Sequence, residues 1–412
     1  MPGLIQSLLN VFKKTFTAFS YLVLGVFTLL GIYVLFNLHL FHVEKPLDRK
    51  ELSNYVAHVD STNPLVYVAN KFDQHQVVLL GELHRRKQDL DLFKQLIPYL
   101  YKTKAIKMIG WEFGAHRYQK AADSIVTASN FDRKKAIAIM RKTIYYWNYE
   151  DYLEVFKVIW KLNQEILAKG DTVRFLQLNG VYVPRRWDSE NDSVRLHERQ
   201  SSFDNIMPGI VEKEVLAENK KIIIYCGLHH ALTKFETPKF LFLKDHGRAG
   251  QALYTKHSKD LFQICLLSPF PPRWLLYYEI SKSTKGNFVF PFAGVFNQLL
   301  DTLQHPFAVD ASNPAFGNLK DHDSFYAFDT FSGVALKDMF DGCIMPAAFD
   351  QIVPVDVIDD WVTTNQELNE VKNVLPENVA LQINSIQDLI DYINPAANRQ
   401  AMLEFHQLKK FW

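Results

Sequence analysis

The chain has 412 residues, of which 48% are hydrophobic and 22% charged, so it can bury one large core or two modest ones and is not disordered. Its 46 Lys and Arg residues against 45 Asp and Glu leave a net charge of +1, which excludes a bulk attraction to nucleic acid. The three cysteines, Cys226, Cys265 and Cys343, are too few and too far apart for a disulfide framework or a Cys-x-x-Cys metal site.

The first predicted element is an apolar segment near the N-terminus. No Asp, Glu, Lys or Arg occurs from Thr15 to Val43, and residues 16–36 are almost wholly apolar. About 20 such residues cross a bilayer as a helix. No small-x-small cleavage site follows, which favours an uncleaved anchor over a signal peptide. We therefore expect residues 1–45 to form a membrane anchor, while basic residues on both flanks leave its orientation undecided.

Short apolar strands and helices then alternate along the chain. Val77 to Leu80 reads as a buried strand that ends at Gly81, and residues 86–101 carry apolar side chains at helical spacing. A second strand, Ala105 to Trp111, ends at Glu112. This order predicts a right-handed parallel strand–helix–strand unit.

The same alternation continues beyond this unit. It predicts an α/β domain over residues 46–360, with a central, mainly parallel or mixed sheet flanked by helices, and a helical C-terminal extension over residues 361–412. The elements are helices within 117–169, a strand at 173–178, helices within 194–219 broken near Pro208, a strand at 221–226, a helix near Gly250, and strands at 261–267 and 342–346.

Two Gly-x-x-His sequences follow predicted strands. They are GELH, from Gly81 to His84, and GLHH, from Gly227 to His230. A tight turn directly after a strand needs the permissive backbone of glycine, and a glycine there also leaves room for a close-lying ligand. Because the carboxyl ends of parallel strands converge at one edge of a sheet, we expect Glu82, His84, Glu112 and His230 to surround one crevice.

Two kinds of chemistry fit these residue types, and their spacing does not separate them. His84, Glu112 and His230 are ligands that suit Zn, Mn or Fe. Alternatively, His84 is a general base on water, a glutamate orients it, and His230 or an arginine stabilises the oxyanion. Arg85 and His229 are further candidates for contact with a substrate. In the structural interpretation of the same residues, they are only capped or solvated side chains.

Several common motifs are missing from the sequence. It has no Gly-x-Ser-x-Gly elbow, no His-Glu-x-x-His, no P-loop and no strand-linked Gly-x-Gly-x-x-Gly. These absences argue against the usual serine hydrolases, zincins, nucleotide-binding proteins and dinucleotide-binding proteins.

The succession VVLLGELH, Glu112 after a strand, and IIIYCGLHHA resembles the superfamily of erythromycin esterases, ChaN-like haem-uptake proteins and TraB/Tiki proteins. The order of parts matches over about residues 76–346. The resemblance implies a site made of Glu82, His84, Glu112 and His230, with Arg199 as the arginine that precedes the last Gly-x-x-His strand. HPFAVDASNP, from His305, and DGCIMP, from Asp341, resemble the closing elements. GELH is shorter than the GEAxHG turn of the esterases, so the resemblance does not extend to macrolide hydrolysis.

With one predicted span, the chain is expected to be a single-pass membrane protein, and the resemblance implies that its body lies outside the cytoplasm. The first hypothesis is a hydrolase of an ester or peptide bond, acting on a small molecule or a peptide, with or without a divalent metal. The second is a haem-binding or iron-binding uptake protein of the ChaN type, with haem or iron in the same crevice. The third is a non-catalytic scaffold, in which the two turns are structural.

Overall fold

The seven-stranded sheet at the centre of the body has mixed strand directions. In this computed structural model, the strands are β1 Val77–Glu82, β2 Met108–Ala115, β3 Arg174–Asn179, β4 Ile222–Gly227, β5 Leu261–Leu266, β6 Phe307–Asp310 and β7 Gly342–Met345. Their order in the sheet is β3-β2-β4-β1-β5-β7-β6, and only β6 runs antiparallel to its neighbour. The expectation of a mixed α/β sheet is confirmed.

The structure describes residues 2–37, 47–144, 146–180, 203–238, 244–245, 247–270, 289–327, 330, 332–373, 375 and 377–398. Two further pairs of two-residue strands lie outside the main sheet, Thr237–Pro238 with Lys244–Asp245 and Lys320–Asp321 with Val334–Ala335. The α-helices in chain order are α1 Pro2–Asn37, α2 Arg49–Ala57, α3 Pro64–Lys71, α4 Lys87–Lys104, α5 Gln119–Thr127, α6 Arg133–Thr143, α7 Glu150–Ile166, α8 Phe203–Val211, α9 Leu228–Ala231, α10 Ala249–His257, α11 Val295–Leu303, α12 Pro314–Gly317, α13 Leu336–Met339, α14 Asn365–Lys372, α15 Glu377–Ala380 and α16 Ile386–Asn398.

Helix α1 contains a stretch long and apolar enough to cross a membrane. The stretch is Phe12–Ile32, 21 residues with a hydropathy of 1.8, and none of it is buried against the body. Large apolar side chains are exposed along it, including Phe19 and Phe27. A segment of this length and composition near the N-terminus is either a membrane span or a signal sequence.

Both faces of the sheet are covered because the strands are apolar on both sides. Strands β1, β2 and β4 are buried along their whole length, as expected for parallel strands between helical layers. One face packs into a cluster that includes Phe93 of α4 and Phe156 of α7, and this cluster takes in Leu368 and Leu389 of the C-terminal helices. The other face packs against α8 and α10.

Several elements differ from the sequence prediction, either in the residue at which they end or in the strand that lies beside them. Strand β1 runs on through Gly81 and Glu82, and β2 runs on through Glu112 to Ala115. Pro208 lies inside α8 instead of breaking a helix. Strands β1 and β2 are parallel but not adjacent, because β4 lies between them. This insertion positions the candidate site, since it brings the two Gly-x-x-His sequences onto neighbouring strands.

Candidate functional site

The candidate residues lie at the carboxyl ends of three neighbouring strands. Glu82, the last residue of β1, is paired in register with Gly227, the last residue of β4. On the other side of β4, Trp111 of β2 is paired with Tyr225, and Glu112 follows it. Strand β4 is therefore the centre of the site, with a carboxylate on each side.

Glu82 and His84 form the first histidine–carboxylate pair. The Glu82 side chain is fully buried, and its Oε1 lies 2.8 Å from Nδ1 of His84. The hydroxyl of Tyr152 donates to the same oxygen at 2.7 Å, and the hydroxyl of Tyr225 donates to Oε2. These bonds offset the cost of burying a carboxylate. With Nδ1 donating to Glu82, Nε2 of the imidazole is left as a proton acceptor.

His230 and Asp204 form a second pair on the other side of β4. Nδ1 of His230 lies 2.7 Å from Oδ1 of Asp204, which also accepts the Ala249 N–H at 2.8 Å. Nη1 of Arg248 lies 3.2 Å from Oδ2 of Asp204. Burial lowers the pKa of His230, but the carboxylates of Glu112 and Asp204 outweigh it, so the pKa is raised above its ordinary value.

Glu112 lies between the two pairs. Its Oε2 accepts the N–H of Gly227 at 2.6 Å, and its Oε1 is 3.5 Å from Nε2 of His230. A Cβ placed on Gly227 would lie 3.0 Å from Nε2 of His84 and 3.5 Å from Oε2 of Glu112. The structure thus brings together His84, Glu112 and His230, with Glu82 behind His84. This is the grouping that the sequence predicts.

The glycines leave room for close neighbours, but they do not supply the permissive backbone that was predicted for the turn. Gly227 has a φ of −57°, and its bare Cα leaves room for the His84 ring, since a Cβ there would lie 2.7 Å from Cε1. Gly81 lies inside β1, where a Cβ would lie 2.9 Å from Leu228. The left-handed turn is made by His84 and Arg85, with φ values of 29° and 65°. The glycines therefore permit close approach, and non-glycine residues carry the unusual backbone.

A segment near the C-terminal end of the body holds this turn from outside. Val355 donates its N–H to the carbonyl of Arg85 at 3.2 Å, and Lys87 donates its N–H to the carbonyl of Val353 at 3.0 Å. Ile358 donates its N–H to the carbonyl of Asn148 at 2.8 Å. Asn148 follows Trp147, whose ring packs edge-on against the ring of His84. Residues 353–358, called the strap below, therefore connect the first Gly-x-x-His turn to the connection before α7.

The three remaining candidate residues have different surroundings. The Arg85 guanidinium lies over the rings of Trp147 and Tyr149, at 5.3 and 5.7 Å from their centroids. Nε2 of His229 is 3.1 Å from the hydroxyl of Tyr326, so this ring faces a neighbour outside the Glu112 group. Arg199 lies outside the described residues.

Four contributors to the site are missing from the sequence prediction. They are Tyr152, Tyr225, Asp204 and Arg248, which contact Glu82 or His230 directly or through one side chain. Tyr152 and Tyr225 occupy ordinary core positions of a helix and a strand, and nothing in the sequence distinguishes them from packing residues. Asp204 lies in ERQSSFDNIM, the segment singled out for Arg199, and an acidic residue there was the available signal.

The predicted metal ligands are near one another but are engaged with protein partners. Nδ1 of each histidine faces a carboxylate, and Oε2 of Glu112 accepts a backbone N–H. In the described part of the chain, no group of three or more His, Cys, Asp or Glu side chains is placed to hold a metal ion. Each of these atoms is therefore already engaged in a contact within the protein.

Breaking the second pair should change how stability depends on pH. The pKa of His230 is raised, so its pairing stabilises the fold below the ordinary histidine pKa and is lost as pH rises through the folded value. Asp204→Asn should therefore lower the free energy of unfolding by about 1–3 kcal/mol at pH 6 and by less at pH 9. Urea unfolding of both proteins at the two pH values measures this difference, and an equal loss at both would contradict the charged pair.

The sequence matches no protein-family model and no curated protein. Solved structures, however, do match. The erythromycin esterase EreC, a mutant in its open conformation, has a TM-score of 0.50 and 12% identity over 73% of this chain and 96% of that one. The two proteins share a fold.

Two further solved structures match with lower TM-scores. A succinoglycan biosynthesis protein has a TM-score of 0.49 at 12% identity, over 77% of this chain and all of that one. The haem-binding ChaN of Campylobacter jejuni has a TM-score of 0.33 at 13% identity, over 49% of this chain and 85% of that one. The solved structures that match thus include an esterase and a haem-binding protein.

Proposed function

We propose that this chain is a membrane-anchored hydrolase of an ester or peptide bond, with His84 as the general base. One observation carries the proposal: a fully buried glutamate with two tyrosine donors holds Nδ1 of His84, beside a second histidine and Glu112. A carboxylate that fixes one nitrogen of an imidazole leaves the other to accept a proton, which is the arrangement of a general base. The His84 side chain is 31% exposed, so water can reach it.

In the proposed reaction, Nε2 of His84 takes a proton from water as the oxygen attacks the carbonyl carbon. His230, whose pKa is raised, donates a hydrogen bond to the oxyanion that forms. The imidazolium of His84 then returns its proton to the leaving alkoxide or amine, and the carbonyl–heteroatom bond breaks. The carboxylate of Glu112 helps to raise the pKa of His230 and accepts the N–H of Gly227.

Substitution of His84, the proposed general base, tests this proposal. His84→Gln should lower kcat/KM for p-nitrophenyl acetate by about 10²- to 10⁴-fold, the usual contribution of a positioned general base. The matched control is His75→Gln, because His75 precedes the same strand at its other end and contacts the carbonyl of Lys259. We expect the control to keep the parent rate.

Other outcomes would point elsewhere. An unchanged rate in folded His84→Gln sinks the hydrolase proposal. A Soret band that appears on haem addition and is lost in His84→Gln would favour the ChaN-type alternative. A divalent metal that copurifies with the parent and is lost in the variant would make His84 a ligand.

We also propose that Phe12–Ile32 anchors the protein and that the body lies on the extracytoplasmic side. Support for the anchor comes from the length and apolar composition of this stretch, none of which is buried against the body. The side follows only from the resemblance stated from the sequence. The full chain should stay in the membrane fraction after carbonate extraction, with an intact mass that includes residues 1–37. Release of the body with the first residues removed would identify a signal sequence instead.

The proposed division into domains is an anchor over residues 1–45, the α/β domain over residues 46–360 and its helical extension over residues 361–412.

A further inference from the structure

The hydroxyl of Tyr152, on α7, connects two parts of the first Gly-x-x-His sequence. It donates to Oε1 of Glu82 at 2.7 Å and accepts the backbone N–H of Arg85 at 3.0 Å. The side chain is completely buried. Burial raises the pKa of Tyr152 well above its ordinary value, so the hydroxyl keeps the proton that it donates to Glu82.

The turn that Tyr152 contacts needs external support. His84 and Arg85 both have positive φ values, which non-glycine residues rarely adopt and which persist only where the surroundings hold them. Both backbone polar groups of Arg85 are bonded to distant parts of the chain, the N–H to Tyr152 and the carbonyl to Val355 of the strap. The backbone that orients the imidazole is therefore held from α7 and from the strap together.

Tyr225 provides an internal comparison. Its hydroxyl also donates to Glu82, at the other carboxylate oxygen, and its side chain is equally buried. Among the described residues, the Tyr225 hydroxyl bonds only the carboxylate, whereas the Tyr152 hydroxyl also accepts the N–H of the turn. The two tyrosines thus differ in one contact, the bond to the Arg85 N–H.

We propose that Tyr152 is a positioning residue, which fixes the His84 imidazole by holding the backbone of its turn and its carboxylate partner at once. The inference rests on the proposed function, because it assigns Tyr152 to the same base. Tyr152 does not contact the reacting atoms in this assignment. It acts through Glu82 and Arg85, and it sets how often Nε2 of His84 points into the site.

The test compares Tyr152→Phe with Tyr225→Phe in the full chain, purified in detergent micelles. One lost hydrogen bond corresponds to about fivefold in rate, so Tyr225→Phe should lower kcat for p-nitrophenyl acetate about fivefold. Tyr152→Phe loses two bonds and should lower kcat about 25-fold, with KM within about twofold of the parent in both variants. Equal losses in the two variants would overturn the inference, while a large loss in His84→Gln would still uphold the hydrolase.

A second measurement does not depend on turnover. In protein labelled with ¹⁵N at histidine, the His84 imidazole signals are identified by their loss in His84→Gln. Tyr152→Phe should shift or broaden the Nδ1 and Nε2 signals of His84 more than Tyr225→Phe does, because the turn itself is released. Unchanged signals in Tyr152→Phe would overturn the inference even if no substrate is ever hydrolysed.

A further variant serves if Tyr152→Phe fails to fold. Val355→Pro removes the N–H that bonds the Arg85 carbonyl and leaves Glu82 untouched. It should also broaden the His84 signals and lower kcat about fivefold. Parent-like signals and rate in this variant would show that the turn needs no support from outside, which would equally overturn the proposal.

Discussion

Glu82→Gln is expected to lower turnover about 10⁴-fold, which is the loss seen when the buried aspartate of a serine protease triad becomes its amide. The carboxylate accepts from Nδ1 of His84 and from two tyrosine hydroxyls. Glutamine keeps one accepting oxygen but replaces the other with an NH₂ group. That NH₂ group would face the N–H and O–H donors that the carboxylate now accepts from. The imidazole is then expected to turn or change tautomer, so that Nε2 no longer accepts a proton.

The same change should also be visible in stability. A buried polar group without its partner costs about 1–3 kcal/mol, so Glu82→Gln should unfold at a lower urea concentration than the parent protein. Glu165→Gln is the matched control, because Glu165 is exposed on α7 and the exchange is chemically identical. Initial rates with p-nitrophenyl acetate and urea midpoints give both effects. A fully active Glu82→Gln protein would contradict the proposed orientation of His84.

The location of the site was predictable because three local signals agree with one general rule. VVLL before Gly81 and KIIIYC before Gly227 are buried strands, and parallel strands end at one edge of a sheet. Glu112 follows from the same rule, since it interrupts an apolar strand with a carboxylate that is costly to bury without partners. The sequence thus indicates which residues meet, although it does not give the strand order that places β4 between β1 and β2.

The contacts around the histidines were not predictable, because long-range packing decides them. Tyr152 is 70 residues from Glu82, and in the sequence it is one more large side chain on the face of a helix. Arg85 shows no sign of its positive φ, since that backbone is held by bonds from α7 and from the strap. For a related reason, the prediction that glycine supplies the backbone of the turn was wrong. A glycine after a strand is typical of a turn, whereas Gly227 is needed for a ring that arrives from the neighbouring strand.

That close approach gives a second large effect: Gly227→Ala should lower turnover about 10⁴-fold while the protein stays folded. Gly227 has φ −57° and ψ 141°, which alanine adopts freely, so the backbone itself is not strained by the change. The new Cβ would lie 2.7 Å from Cε1 and 3.0 Å from Nε2 of His84, closer than two non-bonded heavy atoms tolerate. Either the imidazole or β4 must shift.

The His84 ring is the part that can move, because it is 31% exposed whereas β4 is hydrogen-bonded on both sides. Displacing the base by about 1 Å should lower the rate about 10²-fold. The new Cβ would also block the place of the attacking water and so remove the remaining contribution of the base, which gives a total loss in rate of about 10⁴-fold. The cost in stability should be about 1–3 kcal/mol, as for other overpacked positions.

Gly209→Ala is the control that separates the steric effect from a general effect of alanine. Gly209 is exposed inside α8, and a Cβ there would meet nothing within 4 Å. Alanine in place of a helical glycine should stabilise the protein by about 0.5–1 kcal/mol and leave the rate unchanged. Thermal unfolding and p-nitrophenyl acetate turnover of the two variants, measured side by side, give the answer. If Gly227→Ala stays folded and keeps the parent rate, Nε2 of His84 does not work at this position, and the base must be sought elsewhere on the three strand ends.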